Sequence, residues 1–441
     1  MTFESIGEAL PAAPLLKRQS ICLRPDPTRV VMRHFKPSIE PRDLNPPDTR
    51  RMTHIVDRVL ALDSLAASRQ LAEVLESFEG RHRRLLTAFE TRADAVEIVH
   101  SVQTQLTQVQ RQLIGAYFLH EYSFEAAALF NPSIIAHPDQ SALQSGERRV
   151  IVSLRAVGEG HVSSLTFRSA IVAPDGTVTM DPSARLASIP HLQRRVGTTP
   201  RDVMEVIFEP EGDISERVIF PVTEAQSNGI EDARFVEFGD GSHRTFYATY
   251  TAYSGRAIRS ELLETTDFER FTMTPLIGSA ARNKGMALFP RKINGHYAMI
   301  GRQDNENLYL IYSDDLYFWD EGVAILEPRF PWEFVQIGNC GSPIELEEGW
   351  LLLTHGVGPM RRYCVGAALL DKQDPSKVLG RLPEPLLSPE RSTREGYVPN
   401  VVYTCGAMRL NGRIILPYAV CDTLSQFATI EIPALLRAMV P

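Results

Sequence analysis

The chain has 441 residues, of which 44% are hydrophobic and 23% are charged, and its formal net charge is -8. This composition is typical of a globular protein with a large buried core, and the length exceeds that of one typical domain. The negative charge disfavours a nucleic acid or an anionic membrane as a partner. A local basic pocket for a small anion stays compatible with it.

The sequence shows neither a membrane span nor a secretion signal. No stretch approaches the roughly 18 consecutive apolar residues that a membrane helix needs. Residues 1–5 (MTFES) include an acid where a signal peptide would carry positive charge. The five cysteines are widely spaced and form no CxxC motif, which predicts reduced, buried thiols. We therefore expect a cytoplasmic protein without membrane contact.

Two regions precede the main part of the chain. Residues 1–50 are rich in proline and arginine, which predicts an extended arm whose arginines anchor it to the surface or reach a site. Residues 51–122 carry apolar residues at helical spacing, such as Val56 and Val59. They predict two or three amphipathic helices that pack on the main domain or mediate contacts in a homo-oligomer.

Residues 123–441 are predicted to be mostly β-structure. Short apolar runs such as 149–155 (RVIVSLR) alternate with turns that contain Asn-Gly, Asp or Gly, as in a sandwich, a barrel or a propeller. A repeat favours the propeller, because 265–271 (TTDFERF) resembles 313–319 (SDDLYFW) at blade-length spacing. The region has room for five or six blades.

The segment 229–234 (GIEDAR) places two adjacent carboxylates beside an arginine. The alternating run 235–238, the turn at 239–241 and the run 245–251 predict a hairpin that begins with these acids. Alternation along a strand would send Glu231 and Asp232 to opposite faces. Taken alone, the motif is compatible with a structural Glu–Arg pair at the end of a strand.

Polar residues that suit sugar hydroxyls and anions recur in the β region. Asn131 precedes a proline, Arg155 ends an apolar strand and Lys284 precedes another one. Each residue alone has a structural explanation as a turn or edge residue. Their recurrence at corresponding places in successive blades favours one shared pocket.

Several short motifs together resemble the mannoside phosphorylases of glycoside hydrolase family 130, in the same order and with matching spacing over about residues 125–435. The motifs that carry the resemblance are 130–133 (FNPS), 229–234 (GIEDAR), 250–253 (YTAY), Lys284 with 287–290 (ALFP), 354–358 (THGVG), 398–402 (VPNVV) and 418–422 (YAVCD). The resemblance implies an all-β five-bladed β-propeller for residues 123–441, with the helical region as an N-terminal α-helical extension.

The resemblance also implies a reaction. Asp232 would be the general acid in an inverting phosphorolysis of a β-mannoside, acting through a mannose hydroxyl, and the product would be α-mannose 1-phosphate. Phosphate is already an anionic nucleophile, so this chemistry needs cations that hold it rather than a second carboxylate that activates water. No metal is expected, because no His, Cys or carboxylate cluster has ligand spacing.

Cationic side chains near the motifs are the candidates for the phosphate site, since Arg gives bidentate contacts and Lys a point charge. The candidates are Arg256, Arg259, Lys284, Arg302 and His355. As an alternative, Glu261 and Glu264 could offset the arginines without any anion. The candidates for binding the sugar are Asn131, Arg155, Glu231, Tyr253, Asp304, Asn400 and Asp422.

One departure from the family bears on phosphate. Some members carry a phosphate-contacting histidine just before the arginine that corresponds to Arg302, whereas this chain has Gly301. A β-mannosidase that uses water, with Glu231 or Glu306 as the base, is therefore an alternative, and a non-catalytic sugar-binding propeller is another. We expect β-1,2-linked manno-oligosaccharides and inorganic phosphate as substrates, with loops 186–200 and 376–396 selecting the acceptor.

Overall fold

The structure is a computed structural model that describes residues 15–37, 50–100, 105–195, 202–239, 244–391 and 394–441, with the side chains of 97–100 excepted. Within these ranges the chain is mostly antiparallel β-structure, as the sequence predicted, and most of its helical residues lie in the N-terminal third. None of the described helices is both long enough and apolar enough to cross a membrane.

The N-terminal third combines strands with four helices, where the periodicity had predicted two or three. Its elements are β1 (Leu16–Leu23), β2 (Val30–His34), α1 (Arg50–Leu60), α2 (Ser64–Ser77), α3 (Leu85–His100), α4 (Gln108–Tyr117) and β3 (Leu119–Ser123). The start of α2 is capped by the Asp63 carboxylate, which accepts from Ala66 N, and α4 starts with a capping box. The helices share a core around Phe89 and Leu113.

The predicted arm is anchored at two places. Strand β1 pairs antiparallel with a C-terminal strand, so that Leu16 lies opposite Ile430, and β2 pairs with β3. Between them, the buried guanidinium of Arg29 forms an ion pair with Glu125, whose carboxylate also pairs with Arg168. The first residues described are therefore built into the β part of the molecule.

The remaining strands follow in chain order. They are β4 (Ala128–Ala136), β5 (Arg148–Val157), β6 (Ser163–Val172), β7 (Val178–Met180), β8 (His191–Arg195), β9 (Val203–Ile207), β10 (Val218–Ile219), β11 (Gly229–Gly239), β12 (Arg244–Tyr253), β13 (Ile258–Thr265) and β14 (Arg270–Pro275). The second half contains β15 (Ala287–Leu288), β16 (Tyr297–Gly301), β17 (Leu308–Ser313), β18 (Val323–Leu326), β19 (Gln336–Asn339), β20 (Ile344–Glu345), β21 (Trp350–Gly358), β22 (Arg362–Leu370), β23 (Val378–Arg381), β24 (Val402–Tyr403), β25 (Met408–Leu410), β26 (Arg413–Val420), β27 (Leu424–Glu431) and the helix α5 (Ile432–Arg437).

Hydrogen bonding arranges these strands in five groups of four antiparallel strands. The groups are β4-β5-β6-β7, β11-β12-β13-β14, β15-β16-β17-β18, β19-β21-β22-β23 and β24-β26-β27-β1. The short strands β10, β20 and β25 pair at the sides of groups, and β9 and β8 extend the second group beyond β14. A single parallel pairing of Gly229 with Ser163 joins the first two groups into one sheet.

Successive groups pack against each other, and the fifth group contacts the first. Cys405 N donates to Pro132 O at 2.8 Å, and Leu129 N donates to Thr423 O at 2.9 Å. Apolar cores fill the spaces between groups, for example around Leu353 and Ile414 between the fourth and fifth groups. The first strands of all five groups thereby face one region of the molecule.

The sequence repeat marks equivalent connections in two groups. Thr265 ends β13 and Ser313 ends β17, and each is the third strand of its group. In both turns the hydroxyl accepts from a backbone N–H a few residues on, that of Phe268 or that of Asp315. The hairpin predicted after the acids is formed by β11 and β12; residues 240–243 of its turn lie outside the described residues.

Candidate active site

One polar cavity of about 150 Å³ lies where the first strands of the five groups converge. Its lining comes from every group: Asn131, Arg155, Asp232, Arg234, Lys284, Gly285, Arg302, Gly338, Asn339, His355, Arg361, Tyr363, Val398, Val401, Tyr403 and Asp422. Seven of the residues that were predicted from the sequence as catalytic or ligand-binding are in this set. They are Asn131, Arg155, Asp232, Lys284, Arg302, His355 and Asp422.

Asn131 and Asp232 reach the cavity through matching irregularities in β4 and β11. The strand pairing shifts register between Phe130 and Ser133 and again between Glu231 and Arg234, as in a β-bulge. Both residues have left-handed backbone, with φ of 48° and 56°, which is uncommon for non-glycine residues. A bulge turns a side chain away from the regular alternation, and here it aims both side chains at each other.

The bulge also corrects one prediction from the sequence. Glu231 and Asp232 do not face opposite sides, because both carboxylates contact Arg155. Its Nη2 lies 2.8 Å from Oε1 of Glu231, and its Nη1 lies 3.4 Å from Oδ1 of Asp232. Strict alternation fails here since the extra residue at the bulge rotates Asp232 back toward the side of Glu231.

Arg234 supports Asp232 from below through the backbone. Its Nη1 donates to the main-chain oxygen of Asp232 at 3.2 Å, and its Nη2 donates to the hydroxyl of Tyr403 at 2.9 Å. The side chain is buried, and its Nε has no protein partner among the described residues. Arg234 thus holds the bulge and adds positive charge beneath the Asp232 carboxylate.

Two partly buried carboxyls of the cavity, those of Asp232 and Asp422, have pKa values that are shifted in opposite directions. Burial raises the pKa of Asp232, but Arg155, Arg234 and Lys284, with the amide of Asn131, outweigh it and the net pKa is lowered. Burial, followed by repulsion from Asp232, raises the pKa of Asp422 to about 7. At neutral pH the cavity therefore holds an ionised Asp232 beside an Asp422 that is partly protonated.

Lys284, Arg302 and Asn339 line the part of the cavity that the third and fourth groups contribute. Lys284 Nζ lies 3.9 Å from Glu231, and Arg302 is 9% exposed. Asn339 is 1% exposed, and both its Oδ1 and its Nδ2 lack a partner among the described residues, as does Nε of Arg302. Buried polar atoms are normally hydrogen-bonded, so these groups mark a place for a polar ligand.

His355 also lines the cavity, next to Gly338. Burial, followed by the charges of Arg302 and Arg234, holds its pKa well below the usual value, so the imidazole is neutral. Its ring stacks on Tyr363 and packs tightly on Gly338, where an added Cβ would stand 2.2 Å from the ring. Gly338 is therefore required for the imidazole to occupy this place.

Position 301 does not face the cavity. A Cβ on Gly301 would lie 2.7 Å from Cδ1 of Ile311, in the core on the far side of β16. Alternation then directs the next residue, Arg302, toward the cavity. Consequently the absence of a histidine at 301 removes no group from this cavity.

Six predicted ligand residues are not among those that line the cavity, and one of them, Glu231, lies beside it through its ion pairs with Arg155 and Lys284. Arg256 is exposed, Asp304 accepts from the main-chain N–H groups of Glu306 and Asn307 in a turn, and the hydroxyl of Tyr253 faces Gly255 O at 3.5 Å. The other two are Arg259, which forms a 2.5 Å ion pair with Glu261, and Asn400, whose main-chain oxygen accepts from Tyr363. The pairing of Arg259 with Glu261 matches the alternative in which a carboxylate offsets the arginine.

Four polar residues of the cavity were not predicted from the sequence. They are Asn339, Arg361, Tyr363 and Tyr403. Asn339 had a usable signal, because like Asn131 it is an asparagine at the first strand of a group. Among the described residues, no cluster of three His, Cys, Asp or Glu side chains is placed to hold a metal ion.

The small cavity thus brings an ionised carboxylate together with cationic and amide groups that have atoms without a protein partner among the described residues, as in an enzyme site. Residues 210–440 match the family model of glycoside hydrolase family 130, described as β-1,4-mannooligosaccharide phosphorylase. The chain belongs to this family.

Named relatives cover about half of the chain. A 1,2-β-oligomannan phosphorylase of Thermoanaerobacter sp. (strain X514) is 36% identical over 220 residues, which are 47% of this chain and 70% of the relative. A β-1,2-mannobiose phosphorylase of Listeria innocua is 34% identical over 229 residues, 50% of this chain and 63% of the relative. A solved structure of β-1,2-mannobiose phosphorylase from Listeria innocua with β-1,2-mannobiose shares the fold, with a TM-score of 0.51 and 24% identity over 71% of this chain and 92% of that one.

Proposed function

We propose that this enzyme cleaves β-linked manno-oligosaccharides with inorganic phosphate and inversion, giving α-mannose 1-phosphate. The observation that carries the proposal is that one cavity holds both a hydrogen-bonded acid and unpartnered donors. The acid is Asp232, which accepts from Asn131, and the donors are Arg302 and Asn339. We propose β-1,2 as the linkage, because two named relatives are β-1,2-mannoside phosphorylases.

The five groups of strands are the blades of a five-bladed propeller in this proposal. The packing of the fifth group on the first supports it, as do the contributions of all five groups to one cavity. Residues 123–441 would be the catalytic domain, 51–122 a helical extension for packing or oligomer contacts, and 1–50 an arm. A homo-oligomer in the cytoplasm, without metal or organic cofactor, stays a prediction from the sequence.

The balance of charged side chains at the cavity supports a phosphate site. Five cations line the cavity, namely Arg155, Arg234, Lys284, Arg302 and Arg361. Three carboxyls face them, those of Glu231, Asp232 and Asp422, and the last is partly protonated at neutral pH. A positive excess in a small cavity attracts an anion, and phosphate offers oxygens for both guanidinium and ammonium donors.

The reaction follows from placing mannose between Asp232 and the donors of Arg302 and Asn339. A phosphate oxygen attacks the anomeric carbon from the side of Lys284 and Arg302 while the bond to the leaving sugar breaks on the opposite side. The leaving oxygen takes a proton from a mannose hydroxyl, which takes one from Asp232. Bound phosphate offsets the cations that lower the pKa of Asp232, so the carboxyl is protonated more readily once phosphate is present.

Asn131, Arg155 and Asp422 would hold the mannose hydroxyls. Arg155 is itself fixed, because its guanidinium stacks over Phe130 and its Nε donates to the hydroxyl of Ser163. A pre-oriented guanidinium loses little freedom when substrate binds. Glu231 keeps Arg155 and Lys284 in place through its two ion pairs.

The proposal is tested by incubating the protein with β-1,2-mannobiose and longer β-mannans, with and without inorganic phosphate. Phosphorus NMR should show a sugar phosphate only when phosphate is present, and proton NMR should show the α anomer first. Sulfate at the same ionic strength is the control. Equal cleavage without phosphate would make the protein a hydrolase, and binding without turnover would make it a sugar-binding protein.

A further inference from the structure

An exposed tyrosine–histidine pair stands at the rim of the cavity. The hydroxyl of Tyr397 lies 3.0 Å from Nδ1 of His161, and the ring centroids are 5.7 Å apart with the planes tilted by 42°. Tyr397 keeps 44% of its surface exposed, and His161 is exposed as well. The two residues are 236 positions apart, so tertiary structure rather than local chain geometry brings them together.

Both partners are attached to strands that carry cavity residues. Tyr397 N donates to Oγ1 of Thr423 at 2.7 Å, which places the tyrosine beside Asp422. The next residue, Val398, lines the cavity and donates from N to the main-chain oxygen of Cys421. His161 lies in the turn between β5 and β6, whose facing ends hold Arg155 and Ser163.

The pair and the proposed phosphate donors are carried by different groups of strands. Lys284, Arg302 and Asn339 belong to the third and fourth groups of strands, whereas His161 belongs to the first and Tyr397 leads into the fifth. In an inverting displacement the nucleophile and the leaving group occupy opposite faces of the anomeric carbon. The sugar that leaves would therefore emerge on the side of Tyr397 and His161.

We infer that Tyr397 and His161 together bind the sugar residue on the leaving-group side of the cleaved bond. The hydrogen bond to His161 fixes the tyrosine ring, so that its face packs against the apolar face of a pyranose. Nε2 of His161 is then available to a sugar hydroxyl. This inference rests on the proposed function for its choice of sugar, and it assigns acceptor recognition to 158–162 and 394–400 rather than to 186–195.

The test measures binding without turnover, by isothermal titration calorimetry on the full chain carrying Asp232→Asn. β-1,2-Mannobiose and mannose are titrated into this protein and into the same protein with Tyr397→Ala. We expect mannobiose affinity to fall about tenfold, the scale of one aromatic contact with its buried area, while mannose affinity stays unchanged. Tyr397→Phe keeps the ring and should lose less than Tyr397→Ala.

The chain offers a matched control in the exposed pair Tyr312 and His296 on the third group, whose ring centroids are 6.4 Å apart. Tyr312→Ala should leave both affinities unchanged. The inference is overturned if Tyr397→Ala changes neither affinity or changes both equally, or if mannobiose binds no more tightly than mannose before the tyrosine is replaced. The titrations contain no phosphate, so they report sugar binding even if the protein does not catalyse phosphorolysis. A failed phosphorolysis assay can therefore be told apart from a failed test of this subsite.

Discussion

Nδ2 of Asn131 donates a 2.6 Å hydrogen bond to Oδ1 of Asp232 across 101 positions of sequence, and both residues have left-handed backbone. Each lies at a register shift in the first strand of its group. The contact therefore depends on two bulges in neighbouring groups. Backbone strain of this kind is characteristic of functional sites.

Two substitutions of Asn131 test the strained backbone and the side-chain hydrogen bond separately. Asn131→Gly accepts the φ of 48° without cost but removes the donor, whereas Asn131→Ala removes the donor and keeps the strain. We expect both variants to lose phosphorolysis to a similar extent. The alanine variant should in addition be less stable than the glycine variant by about 1 kcal/mol. Thermal unfolding with initial rates checks this, and full activity in either variant would contradict the role given to the amide.

Asp232→Asn keeps the shape of the side chain but removes its proton chemistry. We expect kcat to fall by about 10²- to 10⁴-fold, the usual range for a general acid, with a far smaller change in mannobiose affinity. Initial rates by phosphorus NMR and calorimetric titration measure the two effects. Asp314→Asn, at an exposed carboxylate on the third group, is the control and should behave as wild type. Loss of binding and rate by equal factors would make Asp232 a binding residue only.

Arg302 and Lys284 are expected to control the affinity for phosphate. Arg302→Lys removes the planar guanidinium and Lys284→Met removes the charge, and each should raise KM for phosphate by about 10- to 100-fold at little change in KM for mannoside. Arg256→Gln is the matched control, since that arginine is exposed and does not line the cavity. A larger effect at Arg256 than at Arg302 would move the phosphate site to the turn between β12 and β13.

The strands and the hairpin after Gly229 could be predicted from the sequence, because alternation and turn residues are local signals. The bulge at Asp232 could not, since it is defined by register against β12 rather than by the residues of β11 alone. Periodicity therefore gave the wrong side for Asp232 relative to Glu231.

The same distinction between local sequence signals and tertiary packing applies to the residues proposed for the cavity. Arg259 and Glu261 are two positions apart on a strand and share a face, so their pairing was readable from the sequence. The place of Asn339 on the first strand of a group was readable, but its two unpartnered atoms were not, because they are a property of burial among residues from other groups. Family resemblance brought Asp422 and Asn131 into consideration, and the structure places both at the cavity.

The buried triad of Arg29, Glu125 and Arg168 is expected to hold the N-terminal strands to the first group. Glu125→Gln leaves two buried guanidiniums without a counter-charge and should destabilise the protein by about 3–5 kcal/mol. Arg29→Met should cost less, because Glu125 keeps Arg168. Chemical denaturation measures both, with the half-exposed Glu345→Gln as a control near wild type. The reverse order would show that Arg29, and not Glu125, is the centre of the triad.

Asp422 is expected to make stability depend on pH. Its folded-state pKa is about 7, above the ordinary value of 3.8, so the folded protein keeps a proton that the unfolded chain releases. Stability from this group is therefore present at low pH and is lost as pH rises from about 4 to 7. Asp422→Asn removes this loss, so its melting temperature should exceed that of wild type at pH 8 and the difference should shrink toward pH 4.

The same ionisation should affect phosphate. Above pH 7 Asp422 adds a negative charge to the cavity beside Asp232, which opposes an incoming anion. KM for phosphate should therefore rise with pH more steeply in wild type than in Asp422→Asn, after both are corrected for the ionisation of phosphate itself. Kinetics from pH 5.5 to 8.5 on the two proteins measure the difference. Parallel profiles would show that Asp422 does not titrate in this range, because phosphate and every other group are common to both proteins.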